Sequence, residues 1–73
     1  MSWKKQLISK EQLPILINTL KQMIEQGDER INQMRCVYTQ KETSIWTMLM
    51  PYDFIDLDPK PEISVFYLYQ VIE

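Results

Sequence analysis

Four carboxylates, Asp53, Asp56, Asp58 and Glu62, fall within one short segment of a chain that contains no histidine. Clustered acidic residues invite a cation. Calcium loops place oxygen ligands at alternate positions around a glycine that permits the sharp turn. Here Asp56 and Asp58 keep the alternation, but Lys60 takes the next ligand position and no glycine lies nearby. Pro59 and Pro61 flank Lys60 and stiffen the segment. The pattern reads as a rigid acidic surface rather than a metal site. Stiff charge of one sign loses little order on docking. It suits a basic surface on a partner protein, including a groove that otherwise holds nucleic acid.

The other candidates for chemistry are sparse. Cys36 is the single cysteine, so no internal disulfide framework exists. A thiol nucleophile needs a base beside it, and without histidine Cys36 reads as a small buried hydrophobe. Serine and threonine lack a triad for the same reason. Gly27, the only glycine, cannot form a glycine-rich phosphate loop. Asp53 and Asp56 are formally an acid/base pair, but a chain of 73 residues seldom encloses a substrate pocket. No enzymatic activity, cofactor or metal is expected.

Aromatic residues are the remaining recognition chemistry: Trp3, Tyr38, Trp46, Tyr52, Tyr67 and Tyr69. Single-strand nucleic-acid binders interleave such rings with lysine and arginine. The aromatic run Ile63–Ile72 has no basic residue, and the net charge is −2 with a pI near 5.0. Direct nucleic-acid binding is therefore not expected; the rings read as core packing or as a protein interface, with Tyr67 and Tyr69 as the candidate contact face. Charge is uneven along the chain. Residues 1–41 hold seven basic and four acidic side chains, a balance of +3, and residues 42–73 hold one and six, a balance of −5.

Elements that would position these groups follow from periodicity. Ser9 and Gln12 fit a capping box, with Ile8 and Leu13 as its hydrophobic staple. Leu13, Leu16, Ile17, Leu20, Met23 and Ile24 then recur at three- and four-residue steps, predicting a helix over about 10–26. Pro14 either kinks that helix or marks the start of its regular part. Gly27 suits a left-handed cap, although Ile31 and Met34 continue the stripe and allow a helix reaching Met34. Strands are predicted over about 33–39, 43–50 and 63–72, the first two as a hairpin. The segment 51–62, with three of the four prolines, reads as an acidic loop.

Strand 63–72 is apolar on both faces. Ile63, Val65, Tyr67, Tyr69 and Val71 share one, and Phe66, Leu68 and Ile72 share the other. One helix covers one face of a small sheet. The second needs the segment 3–8, another copy of the chain, or a partner.

The expected fold is α+β: one domain over 1–73, an N-terminal helix on a three-stranded antiparallel sheet, with homodimerisation completing it. The expected function is a non-catalytic inhibitor or adaptor that occupies a larger protein, in the style of small phage-encoded inhibitors. Its contacts would be Asp53, Asp56, Asp58, Glu62, Tyr67 and Tyr69. One alternative is a structural subunit of a homo-oligomer, and a further one is a nucleic-acid accessory. No apolar run reaches the roughly 18 residues of a membrane span and no secretory signal is visible, so a cytoplasmic location is expected. Finally, Gln12-Leu13-Pro14-Ile15-Leu16 resembles the Gln-Leu-x-Leu-Phe type motif by which bacterial replication proteins bind the sliding clamp. It covers five residues, and Leu16 replaces the terminal aromatic. That resemblance implies clamp binding as another alternative, in which an extended peptide, not a helix, is read.

Overall fold

The computed structural model describes residues 2–72. Its elements run β1 (Ser2–Ile8), α1 (Leu13–Glu25), β2 (Met34–Gln40), β3 (Trp46–Leu49), α2 (Pro51–Asp56) and β4 (Ile63–Ile72). A 3₁₀ turn, Glu29–Gln33, joins α1 to β2. The four strands form one antiparallel sheet in the order β1-β4-β2-β3. The class is α+β as expected, with a fourth strand and a second helix that the sequence reading lacks.

The order has a geometric consequence. β1 and β2 run parallel with β4 between them, and β3 and β4 run parallel with β2 between them. α1 and α2 are the two crossovers. A half-turn perpendicular to the sheet interchanges the two units, so crossovers of the same right hand lie on the same side. The helices do pack against each other. One face of the sheet is therefore covered twice and the other is left bare.

The helix α1 has the predicted stripe. Leu20 and Met23 are buried, and Leu13, Leu16, Ile17 and Ile24 pack around them. Its start differs from the predicted residue 10. The capping box does form, with Gln12 N–H donating to Ser9 Oγ at 3.3 Å and Ser9 N–H to Gln12 Oε1 at 3.2 Å. It closes a separate turn, and the regular helix begins at Leu13 with Pro14 in its first turn, where a missing N–H costs nothing. Gly27 ends the helix at φ 67°, with Gly27 N–H donating to the Ile24 carbonyl and Asp28 N–H to the Met23 carbonyl. This is the Schellman pattern, and only glycine adopts that φ without strain. The continuation to Met34 is a 3₁₀ turn, capped by Asp28 accepting from Arg30 N–H, which still brings Ile31 into the core.

Three further corrections concern the strands and the acidic segment. The helix is not the first element, because Ser2–Ile8 forms β1 along β4. Only Ile8 of its residues is buried, so the segment has no apolar alternation to betray it. The third strand is Trp46–Leu49 rather than 43–50. Residues 41–44 turn, with Ser44 at φ 55° and its N–H donating to the Gln40 carbonyl. The segment 51–62 is not all loop. Pro51 opens α2 and Phe54, three residues on, is fully buried against Tyr38 and Phe66. Pro51 is buried beside it. Lys60 closes α2 by donating from Nζ to the Ile55 and Leu57 carbonyls at 2.7 and 2.6 Å.

Candidate functional site

Register decides which side chains share the bare face. Strand side chains alternate between faces. On the helix side lie Ile8, Met34, Cys36, Tyr38, Phe66 and Leu68, all buried. On the opposite side the ladders bring together Trp3, Lys5 and Leu7 of β1, and Val65, Tyr67, Tyr69 and Val71 of β4. Arg35, Val37 and the buried Thr39 of β2 and Trp46 and Met48 of β3 complete it. Among the described residues no helix or further strand lies over this side. Trp3 is 51% exposed, Trp46 55%, Leu7 61% and Met48 65%.

This face is ordered by its own contacts. Tyr69 stands between Lys5 and Arg35 in register, and Tyr67 between Leu7 and Val37. Trp46 stacks on Tyr67 at 5.9 Å between ring centroids with planes 24° apart. Lys5 Nζ lies 4.5 Å from the centre of the Tyr67 ring, and the Arg35 guanidinium 5.7 Å from that of Trp3. Both are within reach of cation–π attraction. Arg35 is held further by Nη1 donating to the Asn32 and Met34 carbonyls at 2.8 and 2.7 Å. Between Trp3, Arg35, Val37, Met48 and Tyr69 lies an open cleft of about 560 Å³. A second hollow, about 620 Å³, runs between residues 7–10 and 61–67, with both Lys10 and Glu62 at its walls.

The charge distribution is set by topology as much as by sequence. No strand contains an acidic residue, whereas Lys4, Lys5 and Arg35 are all in strands. The carboxylates of the described residues lie on helices, turns and loops. Among the described residues the bare face thus carries two cations and no anion, on a chain of net charge −2.

The six residues expected to contact a partner divide between opposite sides. Tyr67 and Tyr69 are on the bare face, half-buried among their neighbours. Asp53 and Asp56 are exposed on α2, on the helix side, and Asp58 is exposed after it. Glu62 pairs with Lys41 at 3.1 Å. One flat partner surface cannot engage both sets. No three His, Cys, Asp or Glu side chains come together as metal ligands among the described residues. Sequence reasoning weighed Trp3 and Trp46 among the aromatic recognition residues but missed Lys5, Leu7, Arg35, Val37 and Met48, which join them in one surface. The alternation Arg35-x-Val37 and Trp46-x-Met48 was the signal for two of the strands, but only cross-strand register joins them to Tyr67 and Tyr69.

The reactive groups are quiet. Burial pushes the Cys36 thiol up to about 12, so at neutral pH it is a protonated core atom. Hydrogen bonds from Arg30 hold the Asp28 carboxyl below its ordinary range. The pentapeptide 12–16 is engaged as well. Gln12 belongs to the capping box and Leu13 and Leu16 pack on the core, leaving Ile15 to point outward. The clamp-type motif would have to leave the helix to be read as an extended peptide.

Comparison with protein-family models, with curated proteins and with solved structures returns no match to this chain.

Proposed function

We propose that this chain is a non-catalytic binding protein that inhibits or modulates a larger protein by docking its bare sheet face onto it. The observation that supports this is the contiguous apolar and aromatic surface of β1, β4, β2 and β3 opposite both helices. Apolar patches of this kind on a small chain mark interaction sites. Tyr, Trp, Met and Arg are the residue types enriched there. Steric occupation of a partner's surface needs no cofactor and no titrating group. The acidic side chains Asp53, Asp56 and Asp58 then face away from the contact and act on it through long-range steering alone.

Self-association as a homodimer or a larger assembly is the second reading, because a second copy would also cover the face. Two experiments separate these. Sedimentation over a range of concentrations reads self-association directly. Affinity capture from host lysate is then run with wild type, with Met48→Asp and with the triple variant Asp53→Asn, Asp56→Asn, Asp58→Asn. Met48 is exposed on an edge strand, so the charge enters the face without emptying the core. A protein retained by wild type and by the triple variant but lost by Met48→Asp supports docking through the sheet. Retention by Met48→Asp and loss by the triple variant would transfer the function to the acidic segment.

A further inference from the structure

The cleft between Trp3, Arg35, Val37, Met48 and Tyr69 has a chemistry of its own, and it deepens the reading of the bare face as a docking surface, on which it rests. Its floor is Val37 and Tyr69, and its walls are Trp3 and Met48. Arg35 sits at the rim with its Nη1 hydrogens on the Asn32 and Met34 carbonyls. Nε and Nη2 make no hydrogen bond among the described residues, and no carboxylate approaches the guanidinium. Lys5 lies across Tyr69 in register and likewise has no acidic partner there. The guanidinium is therefore positioned in advance, with its fork of donors directed by bonds already made.

We infer that this cleft receives a large apolar side chain flanked by carboxylates, presented by a segment of a partner protein. Charge complementarity selects this occupant over the two others. A second copy facing the first by two-fold symmetry would bring Lys5 and Arg35 of both chains into one gap, since packed sheets lie about 10 Å apart. With no anion on the face among the described residues, those four cations would be desolvated without partners. A single-stranded nucleic acid would meet only two cations among many apolar groups. Affinity from phosphate contacts scales with the number neutralised, and two leave it weak. An acidic-apolar protein segment satisfies both halves of the surface.

The test uses the full chain, labelled with ¹⁵N, and three capped tripeptides: acetyl-Glu-Trp-Glu-amide, acetyl-Gln-Trp-Gln-amide and acetyl-Lys-Trp-Lys-amide. The expected shifts fall on the Trp3 indole N–H, the Arg35 Nε–H and the amides of Val37, Met48 and Tyr69. Affinity should follow Glu over Gln over Lys, by roughly two- to five-fold per charge, and the steps should shrink as salt rises. Arg35→Gln should bring the Glu and Gln peptides to near parity. Lys5→Gln, which leaves the Asn32 and Met34 carbonyls bonded, should narrow the gap in the same direction. Equal binding of all three peptides in the cleft would overturn the acidic preference and leave the docking face standing. Absence of shifts in the cleft with every peptide would overturn both. A thymidine oligonucleotide saturating the same signals below the Glu peptide's concentration would overturn it in favour of nucleic acid. Shifts of these residues on dilution without peptide would overturn it in favour of a second copy.

Discussion

Phe54→Ala tests the largest departure from the sequence expectation, because it asks whether residues 51–56 are solvated loop or a docked helix. Phe54 is fully buried. Its ring lies 5.4 Å from Tyr38 and 5.1 Å from Phe66, both tilted by 58°. Burying the side chain contributes about 1.5–3 kcal/mol and each tilted aromatic pair about 0.5–1.5 kcal/mol more. Truncation to alanine should therefore cost about 3–5 kcal/mol, in line with other large-to-small core changes. A chain of this length has roughly 4–11 kcal/mol in total. The variant should thus be close to unfolding at room temperature. Urea unfolding followed by far-ultraviolet circular dichroism reads the difference, with a midpoint lowered by about 3–5 M if the slope is near 1 kcal/mol/M. Phe54→Leu keeps most of the apolar area and should lose about 1–2 kcal/mol, mainly the ring pairs. Tyr52→Ala, two residues away, removes an exposed hydroxyl bonded to Asn32 Oδ1 at 3.3 Å and should cost under about 1 kcal/mol. A loss below about 1 kcal/mol for Phe54→Ala would refute the docking of α2 and return the segment to a surface loop.

Cys36, fully buried, should react with a thiol reagent only after denaturant is added, and rapid labelling of the native chain would place it at the surface. Its raised thiol also sets a pH dependence. Above pH 9 the unfolded thiol loses its proton while the folded one keeps it until about 12, so stability should fall as pH rises across that window. A urea midpoint that stays flat from pH 8 to 11 in wild type, relative to Cys36→Ala, would contradict it. Gly27→Ala meets no atom within 4 Å, so its cost should be the backbone strain at φ 67°, about 1 kcal/mol, read as a lower melting temperature. Trp3 and Trp46, the only tryptophans, are both more than half exposed on the bare face. Their emission should be solvent-like and readily quenched by acrylamide, and quencher-resistant emission in dilute solution would mean that the face is covered. The triple Asn variant at 53, 56 and 58 removes exposed charges that form no ion pair among the described residues, and its dichroism spectrum should match that of wild type.

Much was legible locally, because the deciding interactions are local. The stripe from Leu13 to Ile24 needs only the 3.6 period, the stop at Gly27 needs only a residue free to take positive φ, and the two-sided apolarity of strand 63–72 is visible by counting alternate positions. β1 was not legible, since Ser2-Trp-Lys-Lys-Gln-Leu is exposed and is held by backbone bonds to β4, which leave no mark on side-chain type. α2 was hidden for a related reason. The segment 51–62 reads as an acidic proline-rich loop until Tyr38 and Phe66, distant in sequence, are seen to receive Phe54. The candidate site belongs wholly to tertiary structure. Sequence alone determined that the C-terminal strand has a second apolar face and no basic residue of its own. It took the order β1-β4-β2-β3 to set Lys5 and Arg35 on either side of Tyr69, and two crossovers on one side to leave that face open. Register between strands far apart in the chain is fixed by which rows of side chains must be buried together. Only the folded chain performs that sum.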